Sequence, residues 1–144
     1  MTHQNLHGPC PACDALLDLY PGFHVGLREW FNSVRFKFFD AHVSCGGRGR
    51  VEQEALFLRR ATHAHYGKSA HNYNLALDLW RLDPNVENHY SLDLYWFERL
   101  FAAFPLGDAF TWYGAPGSPF KELPHIQVAQ WYNLPPELLK LVEP

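Results

Sequence analysis

The chain has 144 residues, the size of one domain, and its 47% apolar and 19% charged residues exclude a disordered polymer. A formal net charge of -3 argues against a strongly basic nucleic-acid face, and no apolar run approaches the ~20 residues of a membrane span. Three cysteines are too few for a disulfide framework, whereas nine histidines raise the question of a shared imidazole site.

In chain order, residues 1–21 read as a polar arm punctuated by Pro and Gly, and residues 22–144 as a single domain. The arm carries Cys10 and Cys13 in CxxC spacing. The first residues lack the basic-then-apolar order of a secretory signal, so synthesis in the cytosol is expected. From Gly22 the pattern turns helical, with Leu27, Trp30, Phe31, Val34 and Phe38 on one stripe. A short strand is predicted at His42–Ser44, followed by the glycine cluster Cys45-Gly46-Gly47-Arg48-Gly49. Glu52 to Arg60 reads as a helix with Ala55, Leu56 and Leu58 towards the inside.

Leu75 to Trp80 reads as a buried strand, a short helix being the alternative. Ser91 is placed to cap a helix reaching Phe104, with Leu92, Tyr95, Trp96, Leu100 and Phe101 on its inner face. Leu106 to Phe120 reads as loop with a brief strand, Ile126 to Ala129 as another strand, and Pro135-Pro136-Glu137 as the start of a short helix. Helices and strands do not alternate regularly, so the class expected is α+β.

Three features point to chemistry: Ser69-Ala70-His71 followed by Asp78, Glu122-Leu123-Pro124-His125, and Arg48 in the glycine-rich turn. Two histidines and a carboxylate can hold zinc and leave one position open for water. Such an ion lowers the pKa of water towards ~7, and a separate carboxylate is needed to carry the proton. Glu122, three residues from His125, is the candidate. His71 and Asp78 are seven apart, an odd separation that puts them on opposite faces of a flat strand. A shared metal therefore demands a turn between them, and Asn72-Tyr73-Asn74 suits one.

The string SAHNYNLALD resembles the Ser-x-His-x-x-Gly-x-Ala-x-Asp signature of the zinc D-alanyl-D-alanine carboxypeptidase and L-alanyl-D-glutamate endopeptidase family. ELPHIQ is similar to the family's second signature, and GGRGRVEQEAL to its upstream segment; the three blocks keep family order over roughly residues 43 to 131. The resemblance implies a hedgehog/D-Ala-D-Ala peptidase-like fold, a small central antiparallel sheet with helices packed on one side. It implies His71, Asp78 and His125 as zinc ligands, Glu122 as catalytic base, and Arg48 at the substrate carbonyl. It also implies Ser69 hydrogen-bonding within the site and Trp112, in Trp112-Tyr113-Gly114, shaping the cleft. Asn74 stands at the signature glycine, and Gln127 where many members have Glu.

The activity so implied is hydrolysis of an amide bond in the peptidoglycan stem peptide, L-Ala-D-Glu first. Release of a terminal D-Ala and a non-catalytic zinc-binding module are the alternatives. The size resembles that of phage endolysins of this family, which implies a monomer held in the host cytoplasm until lysis, with the bacterial wall as partner. Neither nucleic acid nor stable membrane insertion is expected.

Plainer readings stand beside these. Ser69 can simply start a turn, and Arg48 can pair a surface carboxylate. Cys10 and Cys13 form half a zinc knuckle, which His3, His7, His24 or Cys45 would have to complete. His63 and His65 read as surface residues that can rim a cleft, and Trp30, Trp80 and Trp96 as core. Trp112 and Trp131 are the better cleft candidates because they flank the second signature, with core packing the equal alternative.

Overall fold

A computed structural model describes residues 22–83, 85, 90–118 and 122–143. The arm with Cys10 and Cys13 lies outside the described residues. Helix α1 (Val25–Arg35) starts where His24 Nδ1 accepts the Leu27 amide, and buries Leu27, Phe31 and Val34 at helical spacing. Strand β1 (Ala41–Cys45), helix α2 (Arg50–Leu58) and a 3-10 turn (Ala70–Tyr73) follow. Next come β2 (Ala76–Leu82), β3 (Tyr90–Ser91), α3 (Leu94–Ala103), β4 (Phe110–Trp112) and β5 (His125–Val128). Two 3-10 turns, Trp131–Asn133 and Pro136–Leu138, close the described chain.

The result is the expected α+β architecture around a small antiparallel sheet in the order β1-β2-β5-β4, with β3 paired to the far end of β2. Residues directly paired across strands share a face. Leu77 pairs Ile126 and Leu79 pairs Val43, so these four side chains lie on one face. There they join Leu27, Phe31 and Val34 of α1 and Trp96, Phe97 and Leu100 of α3 in one core. Each such side chain contributes about 1.5–3 kcal/mol by leaving water. Asp78 pairs His125 and points to the opposite face. The sheet is therefore a partition, with an apolar core on one side and candidate chemistry on the other.

A break in register extends that second face. Val43 pairs Leu79, but the next pairing is Cys45 with Asp78, which marks a bulge. Under strict alternation Cys45 would follow Val43 onto the core side; the bulge re-aims it alongside Asp78.

Two sequence expectations need correction. In α2 the buried side chain is Gln53, while Leu58 is 82% exposed, Ala55 is exposed and Leu56 is half-buried. The helix packs against a polar network and not the apolar core, so its inner face is not its most hydrophobic one. In α3 the cap is Asp93, whose carboxylate accepts the Tyr95 amide at 3.0 Å, and Ser91 belongs to β3. That later start turns Leu92 and Tyr95 outward and Phe97 inward. No helix among the described residues is long and apolar enough to cross a membrane.

The turn demanded between His71 and Asp78 is present. Ser69 Oγ accepts the His71 amide, the chain makes one 3-10 turn, and Asn74 reverses it at φ 60°, ψ 31°. Asn thus occupies the left-handed conformation that glycine adopts freely. Asn74→Ala is expected to lower stability by about 1–2 kcal/mol, whereas Asn74→Gly should leave it nearly unchanged. Urea unfolding midpoints of the two variants check this; equal losses would contradict it.

Candidate metal centre

Three elements deliver the site. The 3-10 turn supplies His71, the centre of β2 supplies Asp78 and the start of β5 supplies His125. His71 Nε2 lies 3.2 Å from Asp78 Oδ1, and His125 Nδ1 lies 3.1 Å from the same oxygen. The far side of each ring is also occupied. His71 Nδ1 donates to the Gly46 carbonyl at 2.7 Å, and His125 Nε2 meets Gln127 Oε1 at 2.9 Å. These outer contacts hold each ring so that its inward nitrogen faces the carboxylate. Gln127 thus supplies the outer contact to the His125 ring.

The second carboxylate oxygen, Oδ2, is 3.8 Å from Arg48 Nη2. Arg48 is itself buried. Its Nη1 donates to Gln53 Oε1 at 3.1 Å and its Nη2 to Cys45 Sγ at 3.3 Å. It faces the cleft, but its guanidinium is engaged with Asp78 and its neighbours. Glu122 lies half-open to solvent with Oε2 3.9 Å from His125 Nδ1, the inward nitrogen. Ser69 lines the cleft, and its oxygen serves the turn by capping His71.

Of the two readings of Trp112, cleft and core, the structure takes the core. Its ring packs on Phe101 in the core, and its indole N–H donates to the Leu123 carbonyl at 2.7 Å. It braces the segment that leads into His125 from beneath. The cleft wall there is Tyr113, whose ring lies 4.8 Å from that of His125. Burial and the nearby Glu122 charge push the Tyr113 phenol above its ordinary pKa. Trp131 does line the cleft, stacked on Tyr73. Trp96 is core, as expected, while Trp30 and Trp80 are only half-buried.

Three contributors went unassigned to the site in the sequence reading. Cys45 Sγ, a ring nitrogen of His71 and a carboxylate oxygen of Asp78 lie within 4.8 Å of one another, which makes a further candidate donor set. Gln53 and Asn72 are both fully buried and join the loops by hydrogen bonds. Asn72 Nδ2 donates to the Arg48 carbonyl and to Gln53 Oε1, and its Oδ1 accepts the amides of Gly67 and Ser69. The Arg48 spacing to Gln53 was visible in the sequence; the sheet register that aims Cys45 was not. The cleft over His71, Asp78 and His125 has a volume of about 850 Å³, within the usual range for small-molecule sites.

No protein-family model and no curated protein matches the sequence. Among solved structures, the chain is similar in fold to the Serratia marcescens L-Ala D-Glu endopeptidase ChiX. The TM-score is 0.65 at 18% identity, over 83% of this chain and 87% of that one. The likeness establishes a shared α+β fold.

The electrostatics make a direct prediction. Burial alone would push the His71 imidazole down; the Asp78 carboxylate overrides it, with help from Cys45, and raises His71 to about 10. The same pairing holds Asp78 well below the usual carboxylate range, against its own burial. The metal-free ring therefore carries a proton at neutral pH, which a metal ion must displace. Zinc uptake at pH 7 should release about one proton from His71, and affinity should weaken as pH falls. Calorimetric titration with zinc in two buffers of different protonation enthalpy measures this; a heat independent of buffer would contradict it.

Proposed function

We propose that the chain is a zinc-dependent peptidoglycan peptidase that hydrolyses an amide bond of the stem peptide, the L-Ala-D-Glu bond first. The observation that carries this reading is the convergence of His71 Nε2 and His125 Nδ1 on one Asp78 oxygen beside Glu122. It is supported by the fold shared with an L-Ala D-Glu endopeptidase.

The donor set fits zinc. Two imidazoles with their outer nitrogens engaged, plus one carboxylate, leave three inward donors and no fourth protein ligand required. On this reading His71, Asp78 and His125 hold the ion, and when bound it polarises the scissile carbonyl and makes water acidic enough to attack. Glu122 takes the proton of that water and passes it to the leaving amine; its exposed carboxylate lies beside His125 and within reach of substrate. Arg48 faces Oδ2 of Asp78, which leaves Oδ1 for the ion, and adds positive potential where the carbonyl oxygen gains charge. Tyr113 and Trp131 wall the cleft and limit water around the peptide.

Glu122→Ala is expected to lower turnover of a defined muropeptide by about 10²–10⁴-fold while zinc content stays unchanged. His71→Ala and His125→Ala should lose both activity and metal. Mass analysis of the fragments identifies the bond: a new N-terminal D-Glu supports the proposal, whereas released D-Ala identifies a carboxypeptidase. Full zinc binding with no cleavage of any muropeptide would leave a binding module in place of an enzyme.

A further inference from the structure

The cleft wall opposite the sheet is the loop 61–69, and it is built more firmly than an ordinary surface loop. Gln53 Nε2 donates to the Ala64 carbonyl at 2.7 Å, and His65 Nδ1 contacts Glu54 Oε2 at 2.9 Å. The Tyr66 amide also reaches Glu54. The amides of Gly67 and Ser69 both end on Asn72 Oδ1, which is itself fully buried beside His71. Lys68 sits between those two anchored amides, and its own amide donates to the His65 carbonyl at 3.0 Å. Its backbone is thus fixed to the same asparagine that carries the His71 turn.

The charges along this wall are unequally committed. Arg48 faces Asp78, and His65 faces Glu54. Lys68 lines the cleft, is exposed, and makes no ion pair among the described residues. A cation on an anchored backbone, without an ion pair and on the wall of the cleft that holds His71, Asp78 and His125, is suited to an anionic part of the substrate.

We propose that Lys68 binds the free carboxylate of the glutamyl residue on the amine side of the scissile bond. The inference rests on the peptidase reading above. Glutamate has two carboxyl groups and a chain continues through only one. The other stays ionised, a few bonds from the nitrogen being released. Lys68 lies three residues before His71 on the same anchored segment, so its backbone and the His71 turn share one frame. Lys68 is a binding residue that selects the substrate; it takes no part in proton transfer.

The test compares two stem peptides, one with that carboxylate free and one with it converted to the carboxamide. Wild-type protein should prefer the free acid by about tenfold in kcat/KM, a preference that weakens with added salt. Lys68→Met should abolish the preference by raising KM for the acid about tenfold with little change in kcat, and Lys68→Arg should restore most of it. Calorimetric binding of both peptides to Glu122→Gln protein should show the same discrimination without turnover. Equal affinity of Lys68→Met and Lys68 protein for the acid peptide would overturn the inference and leave the peptidase reading intact. Discrimination in binding that Lys68→Met removes, with neither peptide cleaved by wild-type protein, would keep the Lys68–carboxylate contact and overturn the peptidase reading.

Discussion

A single carboxylate oxygen, Asp78 Oδ1, receives two imidazole nitrogens from distant parts of the chain. A charge largely withdrawn from water is costly unless it is paired, and here the pairing is threefold, with Arg48 at the other oxygen. That constraint explains why the surrounding polymer is so specific. β2 must present Asp78 away from the core, β5 must pair with it in the register that puts His125 opposite, and a turn must return His71 to the same face. A one-residue slip of β5 would move His125 to the core side and break the arrangement.

The polar layer behind the metal-facing donors couples the site to the fold. Asn72 and Gln53 are fully buried and hydrogen-bonded to each other. Through them the Arg48 segment, the His71 turn and the loop carrying Lys68 become one unit. Buried networks of this kind are rigid because each broken bond would strand a polar group, and here Arg48 Nε is the atom left without a hydrogen bond among the described residues. Helix α2 accordingly presents an amide inward where an apolar stripe would be the usual choice. On the other side of the sheet, the rings of Trp96, Phe97, Phe101 and Trp112 hold the strands in place.

Much of this was legible in the sequence, for physical reasons that differ by element. Leu27, Phe31 and Val34 of the α1 stripe, the apolar run of β2 and the turn residues around Asn74 follow local rules of period and backbone freedom and stand where expected, while Phe38 lies beyond the helix end. The convergence of His71, Asp78 and His125 could be expected from spacing and family resemblance. Its geometry depends on strand register, which one sequence does not state. The same limit hid Cys45, because a bulge decides which face it shares, and it left cleft and core open for Trp112, whose indole bonds a carbonyl 11 residues away. The inner face of α2 was misjudged because hydrophobicity says nothing about a buried polar network.

The account stands on where one ion binds. Crystals of the full chain grown with zinc and measured at the zinc absorption edge should give one strong anomalous peak in this cleft, bonded by His71 Nε2, Asp78 and His125 Nδ1. A peak held by Cys45 in place of His125, or no peak between the two histidines, would contradict it.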